Sequence, residues 1–416
     1  MLRSSVLKLA TVFVGGLLFY TLFTLSKQRD IYVHQGNAGM QNLRPAETGP
    51  NEKVVAAVDA SHSNGKAAPS IKAGSPQSSH SGQSAADVKP SKEKATFVTL
   101  ARNSELHELI KSIRRVEEKF NKKFHYDWVF FNDEPFSQEF KDLTTSVISG
   151  KTKYAQIPKE HWSYPEWLDL EKAAQSRKDL KEQGVIYGDL ESYRHMCRFE
   201  SGFFWQNPIL DEYEWYWRVE PNTDIHCDID YDVFKFMKDN NKKYGFAISL
   251  HEFEKTIPSL WSHVKKFMEN HPEHIAKDNF MEFLSNDNGK TYNLCHFWSN
   301  FEVASLDFWR SKAYRDFFSY LDGTGNFFYE RWGDAPVHSI AASLFLPKDQ
   351  IHYFYDIGYN HGVYTQCPLE EAFRQAHNCD CQPDQDFTFR GYSCGTHYYD
   401  TMKLPKPANW KEYTAG

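Results

Sequence analysis

The sequence has no G-x-G-x-x-G turn and no G-x-x-x-x-G-K-[ST] loop anywhere in its 416 residues. That removes the usual backbone cradles for a dinucleotide or a P-loop nucleotide. It has no surplus of positive charge either: the formal net charge is −7, so nothing favours nucleic acid as a partner. Cysteine is absent until Cys197, after which come Cys227, Cys295, Cys367, Cys379, Cys381 and Cys394. The Cys379-Asp-Cys381 spacing differs from the C-x2-C of a zinc knuckle, which argues against zinc. Large apolar residues are scarce from about Ser26 to Lys94, where Ser, Gly, Ala, Lys and Gln dominate without sustained periodicity. Such a stretch cannot offset its ordering entropy by burial and reads as a flexible stem.

Before the stem, Leu9 to Leu25 runs without a charge between Arg3 and Lys8 on one side and Lys27 and Arg29 on the other. At about 1.5 Å per residue a helix here spans roughly 25 Å, enough for a thin bilayer of the early secretory pathway. A cleaved signal peptide is the alternative, but the apolar run is long for one and no A-x-A site follows it. Basic residues on both flanks leave orientation undecided by charge. The clustered cysteines fit an oxidising lumen, with two or three disulfides and at least one free thiol, and their odd number leaves the pairing open. The expected organisation is a cytosolic tail over 1–8, a transmembrane signal anchor over 9–25, a stem over 26–94 and one lumenal domain over 95–416.

That domain opens with a strand, Thr96 to Ala101, then a helix N-capped by Ser104 with Leu106, Leu109, Ile110, Ile113 and Val116 at helical spacing. Tyr126 to Phe131 reads as a second strand, closed by Asn132-Asp133-Glu134-Pro135. Further strands are expected at Tyr213 to Val219, Tyr244 to Leu250 and Ile351 to Tyr355. Such β-α-β order predicts an α/β fold with a mainly parallel sheet and ligands at the strands' carboxyl ends.

Five segments carry candidate chemistry. In Glu214-Trp215-Tyr216-Trp217-Arg218-Val219-Glu220-Pro221-Asn222 an aromatic strand stops at a carboxylate, and the proline fixes the turn. A carboxylate there can hold a divalent cation against a diphosphate, or it can simply be solvated. Tyr187 to Phe204 crowds Tyr193, Arg194, His195 and Arg198 too irregularly for a simple amphipathic helix. Cys295 to Glu302 sets a carboxylate after an aromatic run, as a nucleophile, an oxocarbenium stabiliser or a surface residue on a helix. Tyr329 to His338 offers Asp334 after a glycine turn, and Asp356 to Gly362 offers a glycine-flanked His361. One imidazole and one carboxylate, with diphosphate oxygens and water, complete a manganese shell.

Taken in order, YRHMCRF, EWYWRVEP, CDIDYDVF, HFWSNFE, FFYERWGDAPVHS and DIGYNH resemble the fungal Golgi α-1,2-mannosyltransferases of glycosyltransferase family 15, over about Thr96 to Cys394. The resemblance implies a single-pass type II Golgi membrane protein held by one N-terminal helix. It further implies a GT-A-like lumenal domain, GDP-mannose as donor, Mn2+ as cofactor, a mannosylated glycoprotein acceptor and retention of the α configuration. It makes Glu220 and His361 the metal and diphosphate ligands, Glu302 the proposed nucleophile, and Tyr193 a neighbour of the reacting carbon. Asp334 falls near sugar hydroxyls, with Arg102, Arg218, Trp298 and Trp332 as further donor- or acceptor-binding residues. Where many transferases of this fold carry D-x-D, this chain has Glu220-Pro221-Asn222. A mannosylphosphate transferase, a glycosidase using paired carboxylates, and a non-catalytic glycan-binding protein are the competing readings.

Overall fold

The computed structural model describes residues 92–414. The expected tail, anchor and nearly all of the stem lie outside the described residues. Among the described residues no helix is long and apolar enough to cross a membrane.

Strands are numbered along the chain: β1 (Ala95–Leu100), β2 (Asp127–Asn132), β3 (Thr152–Gln156), β4 (Trp215–Arg218), β5 (Thr223–Ile225) and β6 (Tyr244–Phe246). They continue with β7 (Ser249–His251), β8 (Cys295–Phe297), β9 (Glu302–Ser305), β10 (Ile351–Tyr353), β11 (Tyr359–His361) and β12 (Tyr364–Thr365). The main sheet has the order β10-β6-β9-β4-β1-β2-β3, with β12-β11-β5 as a smaller sheet and β7-β8 as a ribbon. In the main sheet β1 is parallel to β2 and β4, β2 to β3, and β10 to β6, while β9 runs antiparallel to β4 and β6. The sheet is therefore mixed and mainly parallel, as expected. Its strands are rich in aromatic and β-branched residues and largely buried, as a sheet covered on both faces demands. Alternation sends Phe97, Trp128, Phe130, Trp215 and Trp217 into one apolar layer and Val98, Val129, Phe131 and Tyr216 into the other.

The helices that matter to the site are α1 (Leu106–Val116), α2 (Glu191–Gly202), α3 (Lys312–Asp322) and α4 (Asp334–Phe345). All five apolar positions expected on α1 are buried. Ser104 is not its cap: it lies in a 3-10 turn, Asn103–Glu105, and Glu105 holds the cap position. The irregular stretch Tyr187 to Phe204 contains α2, a regular helix. From Arg194 to Gly202 every residue but Met196 is buried, so the polar face that would reveal a helical period is missing. A Cβ on Gly202 would stand 1.8 Å from the Phe318 ring of α3, so glycine permits this close crossing. Tyr244 to Leu250 is two strands rather than one. β6 stays in the main sheet and β7 leaves it to pair with β8, a change of partner that an unbroken apolar run conceals.

Three disulfides join Cys227 to Cys379, Cys295 to Cys394 and Cys367 to Cys381, and Cys197 is a buried free thiol. Cys379 and Cys381 thus serve two different bridges. The first two close chain separations of 152 and 99 residues, loops long enough to restrict the unfolded chain strongly. Replacing Cys295 and Cys394 together by serine is expected to cost about 2–5 kcal/mol, read as a lower denaturation midpoint in urea.

Candidate active site

Strand β4 places Tyr216 and Arg218 on one face, and its antiparallel register with β9 sets Arg218 opposite Glu302. Strand pairing alone therefore brings a guanidinium to a carboxylate. Arg218 is almost fully enclosed. Its Nη1 donates to Asp334 Oδ2 at 2.6 Å and its Nη2 to Glu220 Oε1 at 2.5 Å, with Glu200 Oε2 3.7 Å from Nη1. Burial alone would depress its pKa, but Glu200, Glu220, Asp334 and Glu302 outweigh that and raise it further.

The carboxylates come from separate elements. Asp334 opens α4 after Gly333, and His338 follows one turn later on the same face. Ser299 Oγ also donates to Asp334 Oδ2, at 2.7 Å. Burial pushes the Asp334 pKa up, yet Arg218 and His338 win and hold it below the usual carboxylate range. Glu302 has no exposed surface: Tyr216 Oη donates to Oε1 and His338 Nδ1 lies 2.9 Å from Oε2. Trp309 Nε1 donates to Tyr216 Oη at 2.9 Å, and His338 Nε2 donates to the Glu200 carbonyl at 3.1 Å. With acceptors at both ring nitrogens His338 favours the imidazolium form. Burial opposes that charge, but Glu302 overcomes it and raises the pKa. Glu302 lies on a strand inside the protein, which excludes the surface-helix reading.

Helix α2 contributes Tyr193, Cys197 and Glu200, spaced by four and three residues and so on one face. Tyr193 is half-buried, stacked on Tyr187 at 4.7 Å, with the Arg331 guanidinium 5.0 Å over its ring. Burial drives its phenol well above the usual tyrosine value, so it is protonated. Arg198 is instead a structural residue, paired through Nε and Nη2 with Asp322 at 2.6 and 2.9 Å. Arg194 Nε and Nη1 donate to the carbonyls of Glu330 and Leu190.

Past the end of β4 the Pro221-Asn222 turn, with Asn222 at φ 61°, reverses the chain into β5. Thr223 Oγ1 donates to the Glu220 carbonyl, and Thr223 pairs with His361 of β11. The turn and the small sheet thus bring Glu220 and His361 together. Gly358 makes the approach to β11 possible: its φ is +69°, and a Cβ would stand 2.9 Å from Cys227 Sγ. Trp298 stacks on the His361 ring at 5.2 Å, and Asn300 Nδ2 lies 2.5 Å from its Nδ1. Burial lowers the His361 pKa and the Glu220 charge offsets this only in part.

Arg102 is exposed just beyond β1, which neighbours β4, so it stands at the same carboxyl edge as Glu220. Two expectations change. Arg218 is not a free donor-binding side chain: both terminal nitrogens are engaged with Asp334 and Glu220. Trp332 is not placed to bind donor or acceptor: its ring is fully enclosed near Phe327 and His263, and its Nε1 donates to Glu330 Oε2 at 2.6 Å. Missed from the sequence were Glu200, Tyr216, Ser299, Asn300 and His338. Helical spacing from Asp334 to His338, and strand alternation from Tyr216 to Arg218, are the signals that point to two of them.

Burial pushes Glu200 up to about 7, against the pull of Arg218. Glu200 shares this cluster with Glu220, Asp334 and Glu302, four carboxyl groups around Arg218 and His338. Between about pH 4.5 and 7 the folded state holds a proton that the unfolded chain has released, so stability falls as pH rises through that window. Glu200→Gln is expected to flatten this fall. Its melting temperature relative to wild type should rise from about pH 5 to about pH 8.

Residues 51–403 match the sequence profile of the family described as glycolipid 2-alpha-mannosyltransferase. Over 326 residues the chain is 68% identical to glycolipid 2-alpha-mannosyltransferase 2 of Candida albicans, covering 78% of this chain and 71% of that protein. It is 62% identical over 322 residues to alpha-1,2 mannosyltransferase KTR1 of Saccharomyces cerevisiae, covering 77% and 82%. The solved Mn/GDP form of core-mannan synthase A (CmsA/Ktr4) from Aspergillus fumigatus superposes with a TM-score of 0.71 at 41% identity, covering 77% of this chain and 88% of that one. The resemblance read from six short motifs is borne out across the catalytic domain. The chain belongs to the glycolipid 2-alpha-mannosyltransferase family.

Proposed function

We propose that this chain is a retaining α-1,2-mannosyltransferase that moves mannose from GDP-mannose to mannose-terminated O- or N-linked glycans of glycoproteins. It works in the Golgi lumen as a type II protein anchored by residues 9–25. The observation that carries the reading is the meeting of Glu220 and His361 at the carboxyl edge of β4, beside a buried cluster of carboxyl groups around Arg218. The relatives named α-1,2-mannosyltransferases and the Mn/GDP form of CmsA/Ktr4 support donor, linkage and metal.

Glu220 and His361 would hold the manganese ion. A carboxylate and an imidazole suit that ion, and two protein ligands leave room for diphosphate oxygens and water. The ion's contribution when bound is to neutralise charge on the departing diphosphate. Around it the protein supplies positioning. Arg218 fixes Glu220 and Asp334. Both hydrogen bonds to Asp334 fall on Oδ2, which leaves Oδ1 to accept from a sugar hydroxyl. Tyr193, protonated and half-buried, offers a phenol donor. Trp298 adds a ring beside His361, and exposed Arg102 a cation just past the carboxyl end of β1.

The enclosure of Glu302 bears on the mechanism. Each of its oxygens already has a hydrogen-bonding partner, and strand β9 holds its backbone rigidly. This supports front-face transfer, in which the carboxylate stabilises an oxocarbenium-like state through its charge, over a double displacement needing an open oxygen. Incubation of the protein with GDP-mannose, Mn2+ and methyl α-mannoside is expected to give an α-1,2-linked disaccharide of retained configuration. A phosphate-bearing product would instead identify a mannosylphosphate transferase, and turnover without nucleotide a glycosidase.

Glu302→Gln should lower transfer by roughly 10²–10³-fold with GDP and Mn2+ binding preserved. Loss of nucleotide binding in that variant would make Glu302 a structural residue. Glu220→Ala and His361→Ala should each weaken Mn2+-dependent GDP binding by about tenfold or more in calorimetric titrations, and unchanged titrations would remove them from the metal site.

A further inference from the structure

The loop Trp298-Ser299-Asn300, between β8 and β9, sends three consecutive side chains to the site. Trp298 stacks on His361, Ser299 bonds Asp334, and Asn300 bonds His361. Asn300 is nearly buried, and its amide joins two residues of β11: Nδ2 lies at His361 Nδ1, and Oδ1 accepts from Tyr359 Oη at 3.0 Å. Tyr359 and His361 are two apart on one strand, so a single planar amide serves both.

A neutral imidazole carries one proton and one lone pair, and the bond at one nitrogen decides which is left at the other. With Nδ2 toward the ring, Nδ1 is the acceptor and the proton sits on Nε2. That tautomer offers no lone pair at Nε2 for a cation. Rotating the amide about Cβ–Cγ exchanges oxygen and nitrogen at almost constant shape. Tyr359 accommodates the exchange, because a phenol donates to Oδ1 in one orientation and accepts from Nδ2 in the other. The ring itself has little freedom to respond, since Trp298 stacks on it and His361 is paired with Thr223 and Tyr364.

We infer that Asn300 is a positioning residue for the metal. When a divalent cation binds, its amide presents Oδ1 to His361 Nδ1–H and so leaves the Nε2 lone pair for the cation. One proton leaves Nε2 for water and one is taken from water at Nδ1, so the ring stays neutral and the balance closes. The inference rests on His361 being a metal ligand, as proposed above.

The test is a Mn2+ titration of the full chain in the presence of GDP, followed by the electron paramagnetic resonance of free Mn2+. Wild type, His361→Ala, Asn300→Ala and Asn300→Asp are compared, with melting curves for each. Asn300→Ala should weaken Mn2+ binding about 10–100-fold. Asn300→Asp, whose carboxylate can only accept from Nδ1–H, should restore it to within about threefold of wild type. If His361→Ala loses Mn2+ while Asn300→Ala binds it like wild type, the positioning role is wrong and the metal site stands. If Asn300→Asp melts like wild type yet binds Mn2+ as poorly as Asn300→Ala, the tautomer argument is likewise overturned. Unchanged binding in His361→Ala overturns the ligand assignment and this inference with it.

Discussion

The site depends on one buried cation. Arg218 lies inside the protein where an unpaired charge would cost several kcal/mol, and it is tolerated because Asp334, Glu220 and Glu200 surround it. Those partners come from the start of α4, the turn after β4 and the far end of α2. A planar guanidinium with fixed donors can hold two carboxylates at once in set directions, which a lysine cannot. The pairing therefore acts as a geometric constraint on three chain segments.

A second buried pair, Glu302 with His338, lies next to the first and is tied to it by strand register and by helical spacing. Together the two pairs gather four carboxyl groups around one guanidinium and one imidazole. At the edge of the cluster Glu220 faces His361, where on the proposed reading a divalent cation would arrive with an anionic nucleotide. Fixed buried charges would thus prepare a place for a mobile one without a closed metal cage. On the same reading the preorganised cluster would stabilise charge at a reacting sugar without large rearrangement.

Much of this was legible in the sequence because it was local. An aromatic strand ending in Glu-Pro announced a carboxylate at a strand's carboxyl end, and the Leu106 to Val116 stripe announced its helix. Features set by long-range packing were hidden. Helix α2 lost its period because nearly all its faces are buried. Trp332 sits in a motif that implies donor or acceptor binding, and only the packing shows that its ring is enclosed. The disulfide partners, up to 152 residues apart, follow from topology and not from spacing. Arg218 was legible as a site residue, but its role was not, because three of its partners lie on other elements or beyond a turn.

The most direct test of the account is the position of manganese in crystals grown with GDP, located by anomalous scattering. The account predicts a nucleotide-linked peak within coordination distance of both the Glu220 carboxylate and His361 Nε2. A nucleotide-linked peak bound by neither side chain, or manganese held only at a remote cluster such as His271, Glu273 and His274, would contradict it.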